Sequence, residues 1–187
     1  MNEHISKLLD DCSQIYYGEK PREKFYLNSY PSILDFCSQH RGNFTNGTAM
    51  LTVCMAYSWM PRIPENISIN DDMLSLLNVV HLSNKLKSDE LRILKTGINN
   101  SMVGLSKVLH FINPSLYPIW DSNIAKLVVL GKSQKDPIDN YLMYQETLLL
   151  LPENVLSKIN YLNLDQNQYS KLRKIDMALF SKQPTKK

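Results

Sequence analysis

The sequence is short of the features that mark many specialised chains. Cysteine is sparse: three in 187 residues, at Cys12, Cys37 and Cys54. Their gaps of 25 and 17 residues include no C-x-x-C pair. That spacing argues against a zinc knuckle, and the odd number argues against a disulfide framework. Three buried or inert thiols in a reducing compartment are expected. His4, His40, His81 and His110 are scattered, with no H-x-x-x-H pair, so no metal is expected. Long hydrophobic runs are missing too. The longest nearly apolar stretch, Ala49 to Met60, falls well short of the ~20 residues that span a bilayer, and reads as a buried core helix. The first residues, MNEHISKLLDDCSQ, place acids early and have no apolar signal region, so a cytoplasmic location is expected. A P-loop, a G-x-S-x-G elbow and a dinucleotide fingerprint are all absent, which leaves kinase, hydrolase-elbow and NAD-dependent readings without motivation. The sequence asks for no cofactor.

An excess of one charge is also lacking. The chain has 21 Lys+Arg against 18 Asp+Glu, a net +3, and a pI near 8.6. The closing KQPTKK segment supplies Lys182, Lys186 and Lys187 with no acid, so the body is neutral. Neutrality is uneven along it. Residues 1–84 sum to −3, residues 85–132 to +4 and residues 133–181 to −1. The central stretch holds Lys85, Lys87, Arg92, Lys95, Lys107, Lys126 and Lys132. It reads either as a local anion-binding site or as scattered solvated lysines.

What is present is helical periodicity. Hydrophobic content of 43% and charged content of 21% are those of a globular chain. Ile5, Leu8, Leu9, Cys12 and Ile15 repeat at three and four, predicting an opening helix that Lys20-Pro21 ends. Pro31 is read as starting a short helix, and Lys24–Ser29 is the one segment with the look of a strand. Asn46-Gly47-Thr48 introduces a helix through Trp59. Asn70-Asp71-Asp72 and Ser88-Asp89-Glu90 read as caps with first-turn acids. Further helices are predicted over 105–112, 123–130 and 136–151, after Pro152, and over 168–180. In the last of these, Arg173 and Asp176 read as a surface ion pair at i, i+3. The fold class is all-α: one domain over residues 1–181 of about eight or nine short helices, with residues 182–187 as a flexible basic tail.

Residues 88–130 hold the candidate chemistry. A helix ending near Ile98 is followed by the turn formers Asn99, Asn100 and Ser101, then Val103-Gly104, a second helix, the stiff connection NPSLYPIW, and a third helix opened by Asp121. Exposed N–H groups at such a turn, with Lys95 and Lys107, suit a phosphate. Asp121 reads both as a helix cap and as a carboxylate that stabilises an oxocarbenium-like sugar or orients a water. Phe111, Tyr117 and Trp120 read either as core or as walls for an extruded base. Lys126 lies about one turn from Asp121. His110 reads as a packing histidine.

This arrangement resembles the helix-hairpin-helix DNA glycosylases. Val103-Gly104 stands where the hairpin's second half would be, and Ile119-Trp120-Asp121-Ser122-Asn123-Ile124-Ala125-Lys126 where the family places its aspartate-led helix. The resemblance implies a DNA-binding protein that hydrolyses the N-glycosidic bond of a damaged or modified base, a role in DNA repair. It implies catalytic roles for Asp121 and Lys107 and nucleic-acid contacts from Lys95, Asn100, Ser101, Gly104 and Lys126. The base pocket would be Phe111, Tyr117 and Trp120. The first hairpin glycine is replaced by Ser101 or Met102. Ser106 stands where the lyase-type lysine would, with Lys107 beside it, and favours a monofunctional enzyme. The alternative is a non-catalytic DNA- or protein-binding module on the same fold.

Overall fold

Several helices begin where a short polar side chain satisfies one of the first free N–H groups. The computed structural model describes residues 2–10, 12, 14–128, 136–161 and 163–182. Within them the chain is all-α: ten α-helices, one short 3-10 turn at Gln166–Gln168, and no strand. In order these are α1 (Asn2–Leu9), α2 (Pro21–Gln39), α3 (Asn46–Ser58), α4 (Asp71–Val79) and α5 (Ser88–Gly97). They are followed by α6 (Met102–Ile112), α7 (Ser122–Val128), α8 (Pro137–Leu149), α9 (Glu153–Leu156) and α10 (Lys171–Ser181). Thr45 Oγ1 accepts from Thr48 N at the start of α3, Asn70 Oδ1 from Met73 N at α4, and Ser170 Oγ from Arg173 N at α10. No helix among the described residues is long and apolar enough to cross a membrane.

The organising element is α6. Met102 and every residue from Gly104 to Ile112 are buried. A helix apolar on all sides belongs in the middle of a bundle, and α6 lies against α3, α2, α5 and α8. The pairs α4–α5, α1–α10 and α7–α10 close the outside.

Three segments differ from the sequence-based expectation. Lys24–Ser29 is not a strand, and Pro31 does not begin a helix: both lie inside the 19-residue α2. Tyr26, Tyr30, Ile33 and Cys37 recur at four, three and four and are all buried, so packing of this face outweighs the strand preference of the aromatics. Helix α1 stops at Leu9. Beyond it Ile15 N donates to Asn160 O at 2.9 Å, an extended bridge that takes the place of the predicted last turn. The stretch Ala49–Met60 forms a helix but is not buried on all sides, because Met50 and Leu51 reach solvent. Cys12 and Cys37 are buried, whereas Cys54 on α3 is exposed. Leu130, Gly131 and Lys132 lie outside the described residues, as do 183–187 of the tail, while Lys182 is the C-cap of α10.

Two glycines of contrasting surroundings test this packing. A Cβ at Gly97 would lie 2.0 Å from Met73 Sδ and 2.5 Å from the Ser68 carbonyl, so α5 meets the 66–73 segment through the missing side chain. At Gly47, in the first turn of α3, the nearest atom is 3.8 Å away. Gly97→Ala is expected to lower unfolding free energy by about 2 kcal/mol or more. Gly47→Ala is expected to raise it by roughly 0.5–1 kcal/mol. Urea denaturation measures both, and equal effects of the two substitutions would contradict this packing.

Candidate functional site

Three polar side chains sit on the buried helix α6, and each meets a different environment. Ser106 Oγ accepts from Trp120 N at 2.9 Å and donates to the carbonyls of Val103 and Trp120. This clasp ties the 117–121 connection to α6. His110 Nδ1 bonds the Tyr117 carbonyl at 2.7 Å, and Nε2 lies 2.9 Å from the Tyr30 hydroxyl. A neutral ring donating from Nδ1 and accepting at Nε2 satisfies both contacts. Lys107 differs: it is 5% exposed and has no hydrogen bond or ion pair among the described residues. It ends in a small pocket whose other charged members are Asp121, Arg173 and Asp176.

The pocket forms because α6, the start of α7 and α10 converge there. The Ser106–Trp120 clasp holds the backbone that carries Asp121 beside α6, although Lys107 and Asp121 are 14 residues apart in sequence. Asp121 keeps its structural duty as well: Oδ1 accepts from Asn123 N at 2.8 Å, and its carbonyl accepts from Ala125 N. Cap and pocket wall are therefore one residue. From α10 come Arg173 and Asp176, both 3% exposed and paired through Nη1 and Oδ2. The sequence pattern placed this pair on the surface, and the structure corrects that. The guanidinium carbon of Arg173 lies 5.1 Å from the Tyr30 ring centroid and 4.9 Å from the Trp59 ring centroid, so two neighbouring aromatic rings pack against it. Two of its nitrogens, Nε and Nη2, are buried without a partner.

Burial sets the electrostatics. It lowers the pKa of Lys107 from the ordinary 10.5, against the opposing attraction of Asp121 and Asp176. It raises that of Asp176, opposed by Arg173 and Lys107. Burial, the largest single influence, disfavours the Arg173 cation, but Asp176, Tyr17 and Tyr30 together outweigh it and the net shift is upward. The site thus combines a lysine whose proton affinity burial lowers with a carboxylate in the same pocket.

The expected site residues fall into three sets. Lys107 and Asp121 come together. Phe111 and Tyr117 are fully buried and Trp120 is 5% exposed, and all three pack in the core outside this pocket. The aromatic walls are Tyr17, Tyr26, Trp59 and Phe180, with Ile119 beside them. The third set is the turn between α5 and α6. Asn99 and Asn100 adopt φ of 53° and 49°, so two asparagines make the left-handed reversal that a glycine would make. Asn99 Oδ1 accepts from Glu65 N and Asn66 N, and Lys95 Nζ donates to Asn100 Oδ1 at 2.8 Å. Gly104 is not in the turn but in the first turn of α6. Its N–H donates to Ser101 Oγ, and a Cβ there would sit 2.7 Å from the Tyr57 hydroxyl. Its role is close packing, so it presents no free N–H to a phosphate. Lys126, Lys85 and Lys87 are exposed, while Arg92 is paired with Asp136 at 3.0 Å. The +4 stretch is thereby thinner at the surface than in the sequence. Among the described residues no three His, Cys, Asp or Glu side chains are grouped to hold a metal ion.

No family model, curated protein or solved structure matches the chain.

The neutral histidine of α6 has a measurable consequence. Burial, reinforced by Arg173, lowers the His110 pKa to about 3, with the Tyr117 bond opposing. Unfolded, the ring titrates near 6.5. Below pH 6.5 the unfolded chain takes up a proton that the fold refuses, so this contribution to stability is full above 6.5 and is lost toward pH 3. His110 should add up to about 1.4 kcal/mol per pH unit to the fall in unfolding free energy between pH 6 and 4. His110→Gln should start less stable and lose that share of the slope in pH-dependent denaturation. An unchanged slope would contradict it.

Proposed function

We propose that this chain binds duplex DNA and cleaves the N-glycosidic bond of an extruded base, with Lys107 and Asp121 as the reacting pair. One observation carries the reading: Lys107, 5% exposed and without a hydrogen-bond partner among the described residues, shares a pocket with the Asp121 carboxylate, and burial lowers its proton affinity. Nucleophilic displacement at an anomeric carbon needs these two groups, an amine with a free lone pair and a carboxylate that stabilises positive charge on the sugar. In this reading the C1′–N bond to the base breaks as a C1′–Nζ bond forms, and the Nζ proton leaves with the departing base. The C1′–O4′ bond then opens with a proton taken up at O4′, giving a protonated Schiff base that water hydrolyses to the abasic site and free lysine. Ser106, which the resemblance favours as the mark of a purely hydrolytic enzyme, is occupied by the Trp120 backbone instead. Lys107 takes the nucleophile's place one residue on.

The turn at Asn99–Asn100 with Lys95 and the exposed Lys126 supplies backbone-phosphate contacts on either side. The enclosed space is about 20 Å³, room for roughly one water molecule. A base therefore enters only as the walls part, and Phe180 and Tyr26 are the aromatic members on which it would stack.

Abasic-site formation and borohydride trapping on duplexes carrying deaminated, oxidised or alkylated bases test the proposal. The intact chain should give product and a covalent adduct with at least one of them. Lys107→Gln should abolish the adduct, and Asp121→Asn should slow product formation by about 10²–10⁴-fold. Salt-dependent duplex binding with no product on any substrate would instead select a non-catalytic binding module. Neither product nor affinity at low salt would remove the proposal.

A further inference from the structure

The guanidinium of Arg173 is buried and only partly satisfied. Its Nη1 is bonded to Asp176, while Nε and Nη2 are without a partner among the described residues. Arginine has N–H donors and no acceptor, so what remains unpaired is a fork of donors and nothing else. Buried polar groups in native folds are bonded with few exceptions, and an exception asks for a cause. Surface relaxation cannot provide one here, because Arg173 is 3% exposed, the neighbouring Tyr30 and Trp59 rings pack against its guanidinium, and Asp176 holds Nη1. The side chain lines the pocket that contains Lys107 and Asp121.

We infer that Arg173 is the specificity-determining residue of this pocket, donating from Nε and Nη2 to a ring carbonyl of the extruded base. The inference rests on the base-excision reading of the pocket and names its substrate class: bases with a carbonyl on the edge that enters first. A base with an exocyclic amine at that position brings N–H against N–H and leaves both sets of donors unpaired. Such mismatches discriminate more strongly than apolar fit does. Lys107 adds a donor to the same wall, and Asp176, bonded to Arg173, orients the fork.

Hypoxanthine and adenine test this directly, being bicyclic rings of equal size that differ only on one edge: hypoxanthine carries a carbonyl beside a protonated ring nitrogen, adenine an amine beside an unprotonated one. Binding of each free base to the intact chain is measured by calorimetry and thermal shift. Hypoxanthine is expected to bind at least about a hundredfold tighter than adenine. Arg173→Lys keeps a cation beside the aromatic rings but loses the fork, and Arg173→Met loses both. Each should reduce the preference to a few-fold, with circular dichroism confirming that the variant is folded. Equal binding of the two bases, binding of neither, or an unchanged preference in a folded Arg173 variant overturns the inference. Where both variants fail to fold, the comparison of the two bases on the unaltered chain decides. The two readings fail differently. Hypoxanthine binding without excision from any duplex removes base excision and keeps the carbonyl preference. Excision of hypoxanthine and adenine at equal rates does the reverse.

Discussion

Complete burial of α6 is the constraint on which the rest of the structure depends. Every polar group on a helix surrounded by protein must find a partner there or face a cavity. Ser106 finds the Trp120 backbone, and His110 finds Tyr30 and the Tyr117 carbonyl. Both bonds also position the connection between α6 and α7, so satisfying the central helix is what brings Asp121 alongside it. Lys107 is left over. Its environment is a pocket and not a partner.

The charged side of that pocket comes from α10, and it is poorly explained by stability. A buried ion pair seldom stabilises a fold more than apolar residues of the same volume would. Arg173 and Asp176 are both almost fully covered, and Arg173 carries unpaired donors in addition. Contact with the Tyr30 and Trp59 rings offsets part of the desolvation. The remainder is what the proposed base contacts would offset. The same burial that makes the cluster unfavourable for folding lowers the proton affinity of Lys107, which makes its amine available.

Much of this was legible in the sequence, and the parts that were not have identifiable causes. Caps at Asn70 and Asp121 read correctly because they are local, one side chain answering an N–H two or three residues on. Lys107 and Asp121 could be nominated because the 88–130 segment resembles a known arrangement. Arg173 and Asp176 could not, since an i, i+3 charge pair is most often solvated. A signal did exist: Lys171, Lys174 and Ser181 form the polar face of α10, and Arg173 and Asp176 fall off it, among Leu172, Ile175, Met177 and Leu179. The pocket walls Tyr17, Tyr26 and Trp59 are separated from Asp121 by 60 residues or more, and no local pattern joins them. Phe111, Tyr117 and Trp120 were nominated by proximity in sequence, but the clasp between α6 and the connection draws all three into the core. Lys24–Ser29 misled because strand-favouring aromatics obscured the four, three, four spacing that α2 buries.

The most direct test of the account is the titration of the Lys107 amine, followed by NMR of the ε-carbon in selectively labelled protein. Burial is held to dominate its environment, so the midpoint should fall below 10.5, and Asp121→Asn should lower it further by removing a neighbouring negative charge. A Lys107 midpoint at or above 10.5 would mean that the amine is solvated or firmly paired, and would contradict the central claim.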